Sequence, residues 1–169
     1  MFTDIKAFLE IYNWESASTA RILGALTDAS LTREKAPDHN TLGDIAWHVA
    51  TAPTYMLSQV GFDFDPTQAQ KPDKLTGAAI MAMHEKISAE VKRQATGKTP
   101  EELAKTYHVF GMMDWSMGTM LTILLNHEIH HRGQISVLMR QAGLVVPSIY
   151  GPTKEMSVDD MKKQMEQRA

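Results

Sequence analysis

Apolar positions recur along this chain with the period of about 3.6 residues that marks amphipathic helices. Ile5, Phe8, Tyr12, Ile22 and Leu26, with Thr19 on the same side, outline a first segment from about Thr3 to Asp28, and Thr3 or Asp4 is placed to cap it. The stretch "LTREKAPDHNT", with Pro37 inside, breaks the pattern. Leu42, Ile45, Val49, Ala52 and Met56 outline a second segment, about Thr41 to Val60, ending at Gly61. Pro53 lies within it and is expected to kink or loosen the helix, because proline has no amide to donate. After the loop "GFDFDPTQAQKPDK", Ala79, Met83, Ile87 and Val91 carry a third segment from about Leu75 to Thr96, stopped by Gly97. "TPEELAKTY" reads as a capped turn, with Thr99 as cap, Pro100 first and Glu102 three after the cap. A fourth segment runs from about Asp114 to Gln141, carries Met117, Met120, Leu124, Ile135 and Leu138 on one face, and stops at Gly143. A short tail helix is expected over Val158 to Gln167. No strand pattern stands out. The expected fold is all-α, a four-helix bundle with a short C-terminal helix, in one domain over residues 1–169.

Composition narrows the function classes. At 169 residues the chain is long enough for a real core, and 43% hydrophobic with 22% charged residues is ordinary for a globular domain. A net charge of −3 offers no basic field for nucleic acid. Without cysteine there is no disulfide, no thiolate nucleophile and no cysteine-based zinc site, so a bound metal must use histidine, carboxylate or backbone oxygen. "MFTDIKAFLE" is not a signal peptide, and no apolar run is long enough to span a bilayer, so the expected location is cytoplasmic with no membrane partner.

The chemistry concentrates in "NHEIHHRGQ", residues 126–134, which holds three of the chain's seven histidines. At about 100° per residue, His127 and His131 share a face with Met120, Leu124 and Leu138, a face expected to point into the bundle. Imidazoles at i and i+4 can reach one cation, whereas His130 falls about 100° away. A single inward histidine is commonly a core residue satisfied by a hydrogen bond; two at this spacing are harder to explain that way, since an unsatisfied polar group costs on the order of 1–3 kcal/mol. His48, among Ile45, Ala52 and Tyr55 on the second segment, is the candidate third ligand. His39 and His84 have polar surroundings and are expected at the surface. His108 is left without a place, a substrate pocket being one option.

The same stretch reads H-E-x-x-H, a zinc-peptidase signature in which the glutamate acts as base. Such enzymes pair the helix with a sheet that holds the peptide, and no sheet is expected here. Glu155 has the spacing of a later third ligand but lies in loop-like "GPTKEMSVDD". The wheel also turns Glu128 away from His127's face, so no general base, and no catalytic residue, is assigned.

"HEIHHRGQISVLMRQAGLVVPSIYGP", residues 127–152, resembles the closing motif of the DinB/YfiT-like superfamily, H-x-x-x-H-R-G-Q, and "TLGDIAWHVA" with His48 resembles its other histidine motif. The resemblance covers essentially the whole chain. It implies a four-helix bundle, often homodimeric, with a divalent metal held by His48, His127 and His131; three imidazoles suit zinc, nickel, copper, iron or cobalt, and zinc or nickel is expected. It implies a small-molecule substrate: members include transferases and isomerases that use low-molecular-weight thiols such as bacillithiol or mycothiol. Others are regarded as metal-dependent hydrolases, and a non-catalytic metal-dependent binding or stress-response protein is a third class.

Flanking residues carry smaller expectations. Arg132 is expected to pair with a carboxylate across the bundle, and Gln134 to orient a ligand. Gly133 is expected to permit close helix packing. Tyr55 and Tyr150 are candidates to line the pocket. Trp14, Trp47 and Trp115 are expected in the core or a dimer contact, and most of the twelve methionines as core filler.

Overall fold

Side-chain caps start the helices, and two of them, Asp4 and Thr99, are those expected from sequence. A computed structural model describes residues 1–166. Asp4 accepts the Lys6 amide at 2.9 Å and opens α1, Ile5–Gly24. Thr41 and Asp44 cap α2, Leu42–Ser58, reciprocally, the Thr41 amide donating to Asp44 Oδ2 at 2.9 Å and the Asp44 amide to Thr41 Oγ1 at 3.1 Å. Thr76 caps α3, Gly77–Ala95. Thr99, Pro100 and Glu102 form the expected capping box of the short α4, Pro100–Ala104. The long α5 spans Met117–Gln141 and ends before Gly143, whose φ of +77° suits a residue without Cβ. α6, Val158–Glu166, agrees with the expected tail helix as far as the described residues go; Gln167 lies outside them.

α1, α3, α2 and α5 follow one another around a four-helix bundle, each packed on two neighbours. Its core has two parts. One gathers Phe8, Tyr12, Leu57, Met117, Leu121 and Leu124, and the other Ile22, Leu42, Trp47, Ile80, Ile135 and Met139, all buried. Phe2 pins the N-terminus to the start of α5 by donating its amide to the Gly118 carbonyl at 3.1 Å. A Cβ on Gly118 would overlap the Phe2 carbonyl, so this crossing requires glycine.

Two expectations are corrected here. An antiparallel hairpin, β1 (Thr106–Val109) and β2 (Met113–Ser116), stands where no strand was expected, with Thr106 opposite Ser116 and Val109 opposite Met113. Strands of four residues are too short for an alternating pattern to register. The hairpin takes Asp114, so α5 begins at Met117 with Ser116 as its cap. Pro53 leaves α2 continuous; nearby, the Thr51 hydroxyl donates to the Trp47 carbonyl at 2.8 Å and the Thr54 hydroxyl to the Thr51 carbonyl at 2.8 Å. Among the described residues, no helix is long and apolar enough to cross a membrane.

Candidate metal centre

α2 and α5 pack side by side and bring His48, His127 and His131 together: one ring nitrogen from each lies within 4.8 Å of the others. The His48 and His127 Nε2 atoms face each other at 2.8 Å. Ring centroids are 4.4 to 4.9 Å apart, with the rings steeply inclined to one another, as when imidazoles converge on a point rather than stack. Among the described residues this is the one group of three or more histidines and carboxylates that converges so.

The protonation chemistry suits a cation. Burial, then the neighbouring imidazoles, pushes the His127 pKa down to about 4. Partial desolvation of the rings at the groove, where His48 stays exposed at the edge, lowers His48 and His131 too. All three rings are therefore neutral near pH 7, with lone pairs available. Gln134 Oε1 lies 2.8 Å from His131 Nδ1 and accepts its hydrogen bond, which leaves the Nε2 lone pair free to bind a metal. Gln134 Nε2 also lies 3.1 Å from His130 Nε2, so one amide braces both histidines. His130 itself stays outside the triad.

Behind the triad, α5 shows a different face to α1. Arg132 is buried and ion-paired with buried Glu15; it also donates to the Glu15 carbonyl at 3.0 Å and to Thr19 Oγ1 at 3.1 Å. Tyr150 joins them, donating its hydroxyl to Glu15 Oε2 at 2.8 Å and stacking on Trp14. Glu128 points into this side. It is buried, bonded by Thr19 and left with Oε1 unpartnered. Burial raises its pKa against the opposing pull of Thr19 and Arg132.

A cavity of about 500 Å³ opens beside the triad, with His48 and His127 at one end and walls of Ala52, Tyr55, Met56, Phe110, Trp115 and Ile123. A larger depression of about 720 Å³, around Arg33, Lys35 and Gln141, contains none of the three histidines. The smaller one combines apolar walls with convergent polar groups, the usual make-up of a ligand site.

A profile of the DinB family matches residues 1–167. The chain belongs to the DinB family. It is 36% identical over 156 residues to the uncharacterized protein YrdA of Bacillus subtilis, spanning 92% of this chain and 93% of that one. A DinB-like protein from Bacillus cereus superposes with a TM-score of 0.81 at 36% identity, covering 89% of this chain and 100% of its own. The DinB-like protein YjoA of Bacillus subtilis superposes with a TM-score of 0.69 over 85% of this chain and 97% of its own; at 14% identity it speaks for the shared fold alone.

In this DinB protein the expected triad residues come together, but not in the bundle interior. His48 is exposed and the other two are half-buried, because the buried line of α5 runs through Leu124, Glu128, Arg132 and Ile135, one position past each of His127 and His131. His84 is buried rather than superficial: its Nε2 lies 3.1 Å from the Ser16 carbonyl, beside the Ser16–Ser88 hydroxyl pair. His108 is exposed and paired with Asp114 at 2.9 Å, and it does not line the cavity beside the triad. Gly133 faces open space, not a packed helix. Tyr55 lines the cavity, whereas Tyr150 serves the Arg132 network. Trp47 is buried and donates its indole N–H to the Ala69 carbonyl at 3.1 Å. Glu155 pairs with Arg140 and stays out of the centre. Reading the sequence missed Phe110 and Trp115, which reach the site only through the unexpected hairpin.

Proposed function

We propose that His48, His127 and His131 hold one divalent metal ion, zinc or nickel, and that the protein uses it as an enzyme of small-molecule thiol chemistry, a thiol-dependent S-transferase. The observation that supports this most is the convergence of three neutral imidazoles on a groove with an apolar cavity at one end. The donor set fits the ion: three nitrogen ligands leave coordination positions open. When bound, such an ion supplies Lewis acidity, lowering the pKa of a coordinated water or thiol toward neutrality.

The chain's own residues do the rest. Gln134 holds the His131 ring in one tautomer. The apolar walls give a substrate an uncharged surface beside the histidines. With no cysteine in the chain, a sulfur nucleophile has to arrive as a cosubstrate. The arrangement disfavours the peptidase reading, since Glu128 is turned to α1 and Glu155 is paired elsewhere. A hydrolase that activates water without a carboxylate base is the second reading, favoured by the same open coordination.

The test is product analysis by mass spectrometry. Zinc- or nickel-loaded protein is incubated with a low-molecular-weight thiol and a panel of epoxides and haloarenes. Conjugates are expected with the wild type and not with His127→Ala. Hydrolysis products in the absence of thiol would support the second reading, and peptide cleavage abolished by Glu128→Gln would overturn both.

A further inference from the structure

We infer that the cavity beside the triad is a seat for an uncharged aromatic group, and that Phe110 sets this preference. That the group belongs to the molecule reacting at the metal rests on the function proposed above; the seat itself does not.

The walls are hydrocarbon and ring surface. Lys, Arg, Asp and Glu are absent from the lining, and its polar side chains are His48, His127 and Tyr55. A carboxylate, phosphate or sulfonate entering it would lose water and find no cationic side chain in the walls. At about 500 Å³ the cavity falls in the range that small-molecule sites occupy, roughly 300–1,000 Å³. Its rings are set at angles that leave a slot: Phe110 lies 5.5 Å from Tyr55 at 36° and 6.0 Å from Trp115 at 86°. A flat ring entering there meets a face on one side and an edge on the other, the arrangements aromatic pairs prefer. Tyr55 is 55% exposed, a large area to leave in water unless something covers it.

The backbone at Phe110 points the same way. Phe110 and Gly111 sit at the centre of the hairpin turn with φ of 56° and 66°, and the Met112 amide closes the turn on the Val109 carbonyl at 3.1 Å. Turns with positive φ at both central residues favour Asn-Gly or Asp-Gly. A bulky aromatic is strained in that region, and such strain persists only where the surroundings hold it. Here Gln59 Oε1 accepts the Phe110 amide at 3.1 Å and ties the turn to the end of α2. The sequence places a large ring where the turn itself favours asparagine, and the ring forms a wall of the cavity.

Two fluorescent probes test this: N-phenyl-1-naphthylamine, which is uncharged, and 8-anilinonaphthalene-1-sulfonate, the same ring system with a sulfonate. Both are titrated into chelated and zinc-loaded protein. The chelated wild type is expected to bind the uncharged probe at least tenfold more tightly than the sulfonate. Phe110→Asn should weaken the uncharged probe at least tenfold with zinc stoichiometry unchanged and the melting temperature held or raised. Trp115→Ala should weaken it as well, and Val145→Asn, a change at an exposed apolar residue outside the cavity lining, should not. Equal binding of the two probes would overturn the proposal. So would a lower melting temperature in Phe110→Asn with probe binding intact, which makes Phe110 a packing residue. Loss of probe binding as protein concentration rises would give the cavity to a second copy of the chain, again against the proposal. Probe selectivity in a protein that binds no zinc would sustain the seat while defeating the metal reading.

Discussion

His127 and Glu128 are adjacent in sequence and point about 100° apart on α5: one meets His48 across a groove, the other is sealed against Thr19 near Arg132 and Glu15. Substitutions in this stretch should therefore separate sharply. His131→Ala is expected to abolish stoichiometric metal binding, while His130→Ala, outside the triad, keeps it; equal loss in both would refute the assignment. Gln134→Ala frees the His131 ring and should weaken metal affinity about 10- to 100-fold, as loss of a ligand's outer hydrogen bond commonly does. Acid should act on the same rings. Partial desolvation holds all three imidazoles below the ordinary value of 6.5, His127 at about 4. The unfolded chain then takes up protons before the folded one does. The metal-free protein has this stability in full above about pH 6.5 and loses it as the pH falls toward about 4. Melting curves of chelated protein across that range check the sign, and a flat profile would contradict it. Metal affinity should decline over the same interval, because protons compete for the ring nitrogens. The histidine pair was legible in sequence because i,i+4 spacing alone puts two side chains on one face. His84 was not: its hydrogen-bond partner is the carbonyl of Ser16 on α1, distant in sequence, and its burial depends on how α1 packs on α3.

The helices hold this site through polar ties as well as core packing. Arg132 joins α5 to α1 at a fully buried ion pair with Glu15. Arg132→Met would leave Glu15 buried without its cation, which is expected to cost about 3–5 kcal/mol. Chemical denaturation of metal-free protein measures it; a loss below about 1 kcal/mol would show that Glu15 is repaired by Tyr150 alone. Helix identity was readable at this scale because caps and stops are local. Thr99, Pro100 and Glu102 specify the start of α4, and Asp4 that of α1, with little help from the rest of the molecule. The hairpin was unreadable for the converse reason. Its two strands are four residues each, and its turn places Phe110 where the usual turn residues are Asn, Asp or Gly. The expectation for Gly133 failed because a small residue in a helix does not reveal whether it faces a neighbour or solvent.

Across the whole molecule, the proposed metal ion would tie α2 to α5, the pair whose contact forms the groove. The four-helix plan was legible from periodicity; the position of the site at the groove edge was not, since it depends on how α5 rotates against α2. A ligand that binds the folded state alone stabilises it by about 2.7 kcal/mol at a hundredfold excess over Kd. For a chain of this size that corresponds to roughly 5–10 °C in melting temperature. His48 is the decisive residue, because it comes from the other helix. The most direct measurement is a thermal melt with chelator and with excess zinc, on wild type and His48→Ala in parallel. A shift of several degrees in the wild type that largely vanishes in the variant is the expected result. An equal zinc-dependent shift in both proteins would contradict the three-histidine centre.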